Sequence, residues 1–67
     1  MVNNLTQEDI EAIVDRIVGE VCDEFGIDKL DGKEVCTEVE RRLEEELGQY
    51  PVEEKEYALD HLYSYYI

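Results

Sequence analysis

Cations are what this sequence has least of. Six lysines and arginines stand against nineteen aspartates and glutamates, for a formal net charge of −13. Nucleic-acid binding rests on Lys and Arg neutralising phosphates, so DNA, RNA and anionic lipid are poor direct ligands. Basic protein surfaces are the partners expected instead. Two cysteines are too few for a secreted disulfide scaffold. The opening MVNNLTQEDI carries neither a basic n-region nor an apolar h-region, so no signal peptide is expected. No apolar run approaches the roughly 18 residues of a membrane span. The expected setting is a reducing cytoplasm, that of the host if the protein is phage-encoded. Alternating strand patterns are missing too, and with them any case for a sheet.

Catalytic equipment is equally thin. His61 is the only histidine, and no Ser or Cys stands at a suggestive spacing from it. Enzymes need a nucleophile, base or metal held in a cleft, and a small helical domain offers little concavity. No enzyme activity and no cofactor are expected. A zinc site built on Cys22, Cys36 and His61 lacks a fourth ligand and the paired Cys-x-x-Cys spacing. The segment IDKLDGKEVCTE sets Ile27 and Lys29 where a calcium loop needs carboxylates. An acyl-carrier role fails for want of the Asp-Ser-Leu motif that carries the prosthetic group.

What is present is helical grammar. Thr6 is placed to cap a helix, with Asp9 at the capping-box position and Leu5 and Ile10 as a hydrophobic staple. The same pattern recurs with Asp31 as cap, Glu34 as reciprocal acceptor, and Leu30 and Val35 as staple. Gly26 and Gly48 are placed to end two helices, and Pro51 fits the first position of a third. Ile10, Ile13, Val14, Ile17, Val18, Val21 and Phe25 share one face at helical spacing. Val35, Val39, Leu43 and Leu47 make a narrower stripe, and Val52, Leu59, Leu62, Tyr63 and Tyr66 a third. Sixty-seven residues make one domain. A chain this short has a marginal core. Its 43% hydrophobic content, regularly spaced, nevertheless argues against disorder. The expected fold is all-α: a compact antiparallel three-helix bundle spanning 1–67, with helices near 6–25, 32–47 and 51–66.

Three features remain for function. On the second helix, charges are expected to pair at helical spacing: Glu38 with Arg42, Arg41 with Glu45, Arg42 with Glu46. On the first, Arg16 matches Glu20, while Glu8, Asp9, Glu11, Asp15, Asp23 and Glu24 have no cation within the helix. Four of the five tyrosines crowd into the last eleven residues. Tyr57, His61 and Tyr65 are spaced four apart, and they serve either as cover for the bundle's flank or as a recognition stripe. Cys36 falls on the apolar face and Cys22 at the edge of its stripe; both read as buried or half-buried thiols. The candidate partner-binding set is therefore Glu8, Glu11, Asp15, Glu20, Asp23, Glu24, Tyr57, His61 and Tyr65. Such an array can compete for a Lys- and Arg-lined channel, because carboxylates one helical turn apart repeat every 5–6 Å or so, near phosphate spacing. The leading expectation is an inhibitory, DNA-mimic-like protein that occupies a basic, nucleic-acid-binding surface. Small acidic inhibitors of this class are typical of phages and mobile elements opposing restriction or CRISPR defences. The alternatives are a helical adaptor or homodimer using the tyrosine stripe, and an antitoxin or immunity protein.

Overall fold

In the computed structural model, which describes residues 5–66, the chain forms α1 (Gln7–Phe25), α2 (Lys33–Leu47) and α3 (Val52–Tyr65). Each helix packs against both others. Contacts between side chains give the directions. Arg16 meets Glu46 and Glu24 meets Arg42, so α1 and α2 are antiparallel. Tyr63 meets Glu40 and Lys55 meets Glu44, so α2 and α3 are antiparallel as well. The first and third helices consequently run parallel, with Glu11 beside Tyr57 and Asp15 beside His61. The expected three-helix bundle is the fold.

Local chemistry explains most helix ends. Thr6 Oγ1 accepts the Asp9 N–H at 3.1 Å and Asp9 returns the bond to the Thr6 N–H at 3.3 Å, a complete capping box. At the other end Gly26 adopts φ 69, ψ 35. Its N–H bonds the Asp23 carbonyl at 3.2 Å and the Ile27 N–H bonds that of Cys22 at 2.9 Å, a Schellman closure that only glycine enters without steric cost. One expected cap is corrected. Asp31 does not cap α2: Gly32 takes that position at φ 100, ψ 148, and no side chain bonds the first turn. The backbone swings into the helix through a conformation favouring glycine, which leaves Asp31 outside and exposed. Gly48 ends α2 as expected, directly after Leu47, but in right-handed geometry at φ −62. Pro51 precedes α3 by one residue, at φ −55, ψ 148.

Ile10, Val14, Ile17, Val18 and Val21 of α1 and Val35, Val39, Leu43 and Leu47 of α2 form the expected core, joined from α3 by Ala58 and Leu62. Phe25, expected on that face, is 45% exposed, because it falls at the last residue of α1. The face of α3 also differs from expectation. Glu54, Ala58 and Leu62, at successive i, i+4 steps, are its buried stripe, while Val52 is 65% and Tyr63 47% exposed. Leu59 and Tyr66 pack half-buried at its sides. The helix is thus turned roughly a quarter revolution from its apolar pattern. Ala58, with the smallest side chain on the helix, fits where α3 lies against its neighbours. Glu54 is tolerated inside because its Oε1 accepts the Leu5 N–H at 2.6 Å, although Oε2 is buried without a donor. Among the described residues no helix is long and apolar enough to cross a membrane.

Candidate partner-binding face

Arginine decides how the acids of α1 are divided. Arg42 on α2 reaches across to Glu24 with both of its terminal nitrogens, at 2.9 and 2.7 Å, and holds Glu38 through Nε at 2.7 Å. Arg41 grips Glu38 and Glu45 at 2.7 and 2.8 Å. Arg16 sits 3.4 Å from Glu20 and 2.5 Å from Glu46. The expected pairings of Glu38 with Arg42, Arg41 with Glu45 and Arg16 with Glu20 are present. That of Arg42 with Glu46 is not, because Arg42 turns to Glu24 and Arg16 takes Glu46. Fork-like pairing of this kind stabilises the charged carboxylate. Hydrogen bonds from Arg41 and Arg42 accordingly pull Glu38 down to about 2, and the bond from Arg42 lowers Glu24. Between these side chains lies a shallow cleft of about 360 Å³ whose polar lining is already mutually paired.

The opposite flank of α1, toward α3, holds its acids by other means. The Tyr57 hydroxyl donates to Glu11 at 2.7 Å, and that of Tyr66 to Asp15 Oδ1 at 2.5 Å. His61 Nε2 lies 3.4 Å from the same Asp15 oxygen. Glu8 precedes Glu11 by three residues and Asp15 by seven, which places it in the same row. On α3, Glu53 stands one turn before Tyr57, and Asp60 adds its negative field to that of Glu11 at the Tyr57 hydroxyl. Among the described residues no lysine or arginine pairs with an acid of this flank: the arginines serve α1 and α2, Lys55 meets Glu44 of α2 at 3.1 Å, and Lys29 and Lys33 belong to the connection and the start of α2. The carboxylates leave their mark on the hydroxyls beside them. The bond to Glu11 raises Tyr57, and burial followed by the bond to Asp15 raises Tyr66.

The candidate set is therefore split. Glu8, Glu11, Asp15, Tyr57 and His61 come together on the α1/α3 face. Glu20 and Glu24 lie on the α2 side, where arginines answer them. Asp23 is exposed on the outer surface of α1, at helical spacing from Arg16 and Gly19. Tyr57 and His61 are half-buried against α1, and Tyr65 alone of the three is largely open, at 73% exposure. Sequence reasoning missed Tyr66, Glu53 and Asp60. The last two were findable as neighbours of Tyr57 at helical spacing. Tyr66 was not, because its bond to Asp15 spans 51 residues.

The thiols exchange their expected places: Cys22 is the buried one and Cys36 the half-buried, and both are free. Cys22 falls on the α3 side of its helix, beside Tyr66, whereas Cys36 lies near Tyr63. The two thus neighbour different rings of α3. Among the described residues no group of three or more His, Cys, Asp or Glu side chains is placed to hold a metal ion. Comparison of the chain with protein-family models, curated proteins and solved structures finds no match.

Proposed function

We propose that this protein is a small acidic inhibitor that occupies the basic, nucleic-acid-binding surface of a partner protein with its α1/α3 face. The supporting observation is how Glu11 and Asp15 are held. A tyrosine hydroxyl fixes a carboxylate without cancelling its charge, whereas an arginine neutralises it. On the α2 side three arginines offset much of the charge of five glutamates, whereas the carboxylates of the α1/α3 face meet no lysine or arginine among the described residues. An ionised carboxylate offers about four lone-pair sites, so Glu11 and Asp15 retain acceptors for incoming cations. Two parallel helices present two carboxylate rows: Glu8, Glu11 and Asp15 on α1 repeat every 5–6 Å or so, and Glu53 and Asp60 on α3 stand two turns apart. Rows of that kind steer a basic partner into contact and compete with a phosphate backbone for it.

Inhibitors of this class suit a phage or mobile element acting on a defence nuclease, and an antitoxin or immunity protein would mask its enzyme in the same way. The adaptor or homodimer reading draws support from Tyr65 alone, since Tyr57 and His61 already have partners on α1. The test is capture of a partner from host lysate by three proteins: wild type, Glu8→Lys/Glu53→Lys/Asp60→Lys, and Asp28→Lys/Asp31→Lys/Glu34→Lys. The last carries the same charge change away from the face. A nucleic-acid-binding protein should be retained by wild type and by the off-face variant, lost by the on-face variant, and released by excess duplex DNA or high salt. Equal capture by all three, or a complex that keeps its DNA and resists salt, would refute the reading.

A further inference from the structure

One ring on the α1/α3 face has no task inside the fold. Tyr65 is 73% exposed, and its hydroxyl has no partner among the described residues. It stacks on His61 with centroids 5.4 Å apart and planes 25° from parallel, and Tyr66 meets it edge-on at 5.0 Å. Its neighbours therefore fix its plane and leave most of its surface to solvent. Two members of this trio, His61 and Tyr66, reach Asp15. Both internal donors to Asp15, His61 Nε2 and the Tyr66 hydroxyl, use Oδ1, which leaves Oδ2 open on a side chain 54% exposed. The last turn of α3 contains no basic residue to complement its carbonyl end, which carries partial negative charge.

We infer that the Tyr65–His61–Tyr66 cluster, with Asp15 and the carbonyl end of α3, is a recognition site for an arginine side chain on the partner. The inference rests on the acidic-face reading and names the side chain it selects. Charge alone does not separate arginine from lysine. A flat guanidinium stacks on a tyrosine ring while turning its fork of N–H donors toward carboxylate and carbonyl oxygens, which a compact, strongly hydrated ammonium does poorly. A largely exposed aromatic ring, one packed neighbour away from a carboxylate with an unengaged oxygen, favours the first. A second copy of this chain is the weaker occupant, because it would bring two bodies of net charge −13 together.

Calorimetric titration with blocked hexa-arginine and hexa-lysine peptides at low ionic strength separates the outcomes. Wild type should bind the arginine peptide about tenfold tighter than the lysine peptide. Tyr65→Ala should bring the two to parity, and Tyr65→Phe, which keeps the ring face, should retain the difference. Circular dichroism of each variant checks that the helices persist. Equal affinities in wild type, or a preference that survives Tyr65→Ala, overturn the arginine site and leave the acidic-face reading standing. Failure of both peptides to bind overturns the two together. A wild-type dimer in sedimentation that Tyr65→Ala dissociates would show the ring covered by a second copy, and that too overturns the inference.

Discussion

Leu43→Ala is expected to lower the melting temperature by roughly 12–24 °C. Leu43 is fully buried on α2, within the core shared by all three helices. Replacing a buried leucine with alanine removes its transfer free energy and leaves a cavity, together costing about 3 kcal/mol, within the usual range of roughly 2–5. A 67-residue domain has a stability of only about 3–10 kcal/mol in total. For a domain this small, each kcal/mol moves the midpoint by roughly 4–8 °C, which gives the quoted shift. Val52→Ala is the matched control. The apolar pattern puts Val52 inside, but it is 65% exposed in the structure, so its truncation should stay within about 0.5 kcal/mol. Thermal melts followed by the helical circular dichroism signal, with urea titrations alongside, read both. A Leu43→Ala shift below about 5 °C, near one kcal/mol, would refute the core assignment. A Val52→Ala loss as large as that of Leu43→Ala would mean that α3 presents its other face.

Four further outcomes follow from the charges, the tyrosine hydroxyls and the thiols. Arg42→Ala leaves Glu24 without its cation and Glu38 with Arg41 alone, and should lower the urea midpoint, with the loss shrinking as salt screens the charges. Glu38 is depressed in the fold from 4.5 to about 2, first by Arg41 and then by Arg42, so its contribution is present above pH 4.5 and is lost as pH falls toward 2; Arg41→Ala should flatten that part of the acid titration more than Arg42→Ala does. Tyr57, Tyr63 and Tyr66 are raised above 10 by hydrogen bonds to carboxylates and by burial, so their contribution is intact below pH 10 and disappears as pH climbs through the raised values. Tyrosinate absorbance should show these ionisations coinciding with loss of helix, and ionisation well before unfolding would contradict the bonded geometry. Cys22, raised by desolvation and by the charge of Asp28, should react with a disulfide reagent more slowly than Cys36; the reverse order would contradict their placement.

Local chemistry was legible in the sequence wherever a few adjacent residues decided the outcome. Thr6 with Asp9, the glycine after Phe25, and the valines and isoleucines of α1 each act within one or two turns, and all appear where the spacing put them. Asp31 was misread because two candidate caps stood side by side and backbone freedom at Gly32 outweighed a side-chain bond. The face of α3 was not legible: aromatic rings and Val52 outweigh Ala58 and Glu54 in any apolar pattern. The closeness of the other helices favours the small side chain inside, and a backbone donor from Leu5 admits the acid. Composition determined that the protein is acidic, and the spacing of its apolar residues that it is helical. Only the tertiary structure decided which acids keep their charge exposed. Glu24 and Arg42 lie 18 residues apart, Glu11 and Tyr57 46 apart, and helix register alone brings an arginine to the first acid and a neutral hydroxyl to the second.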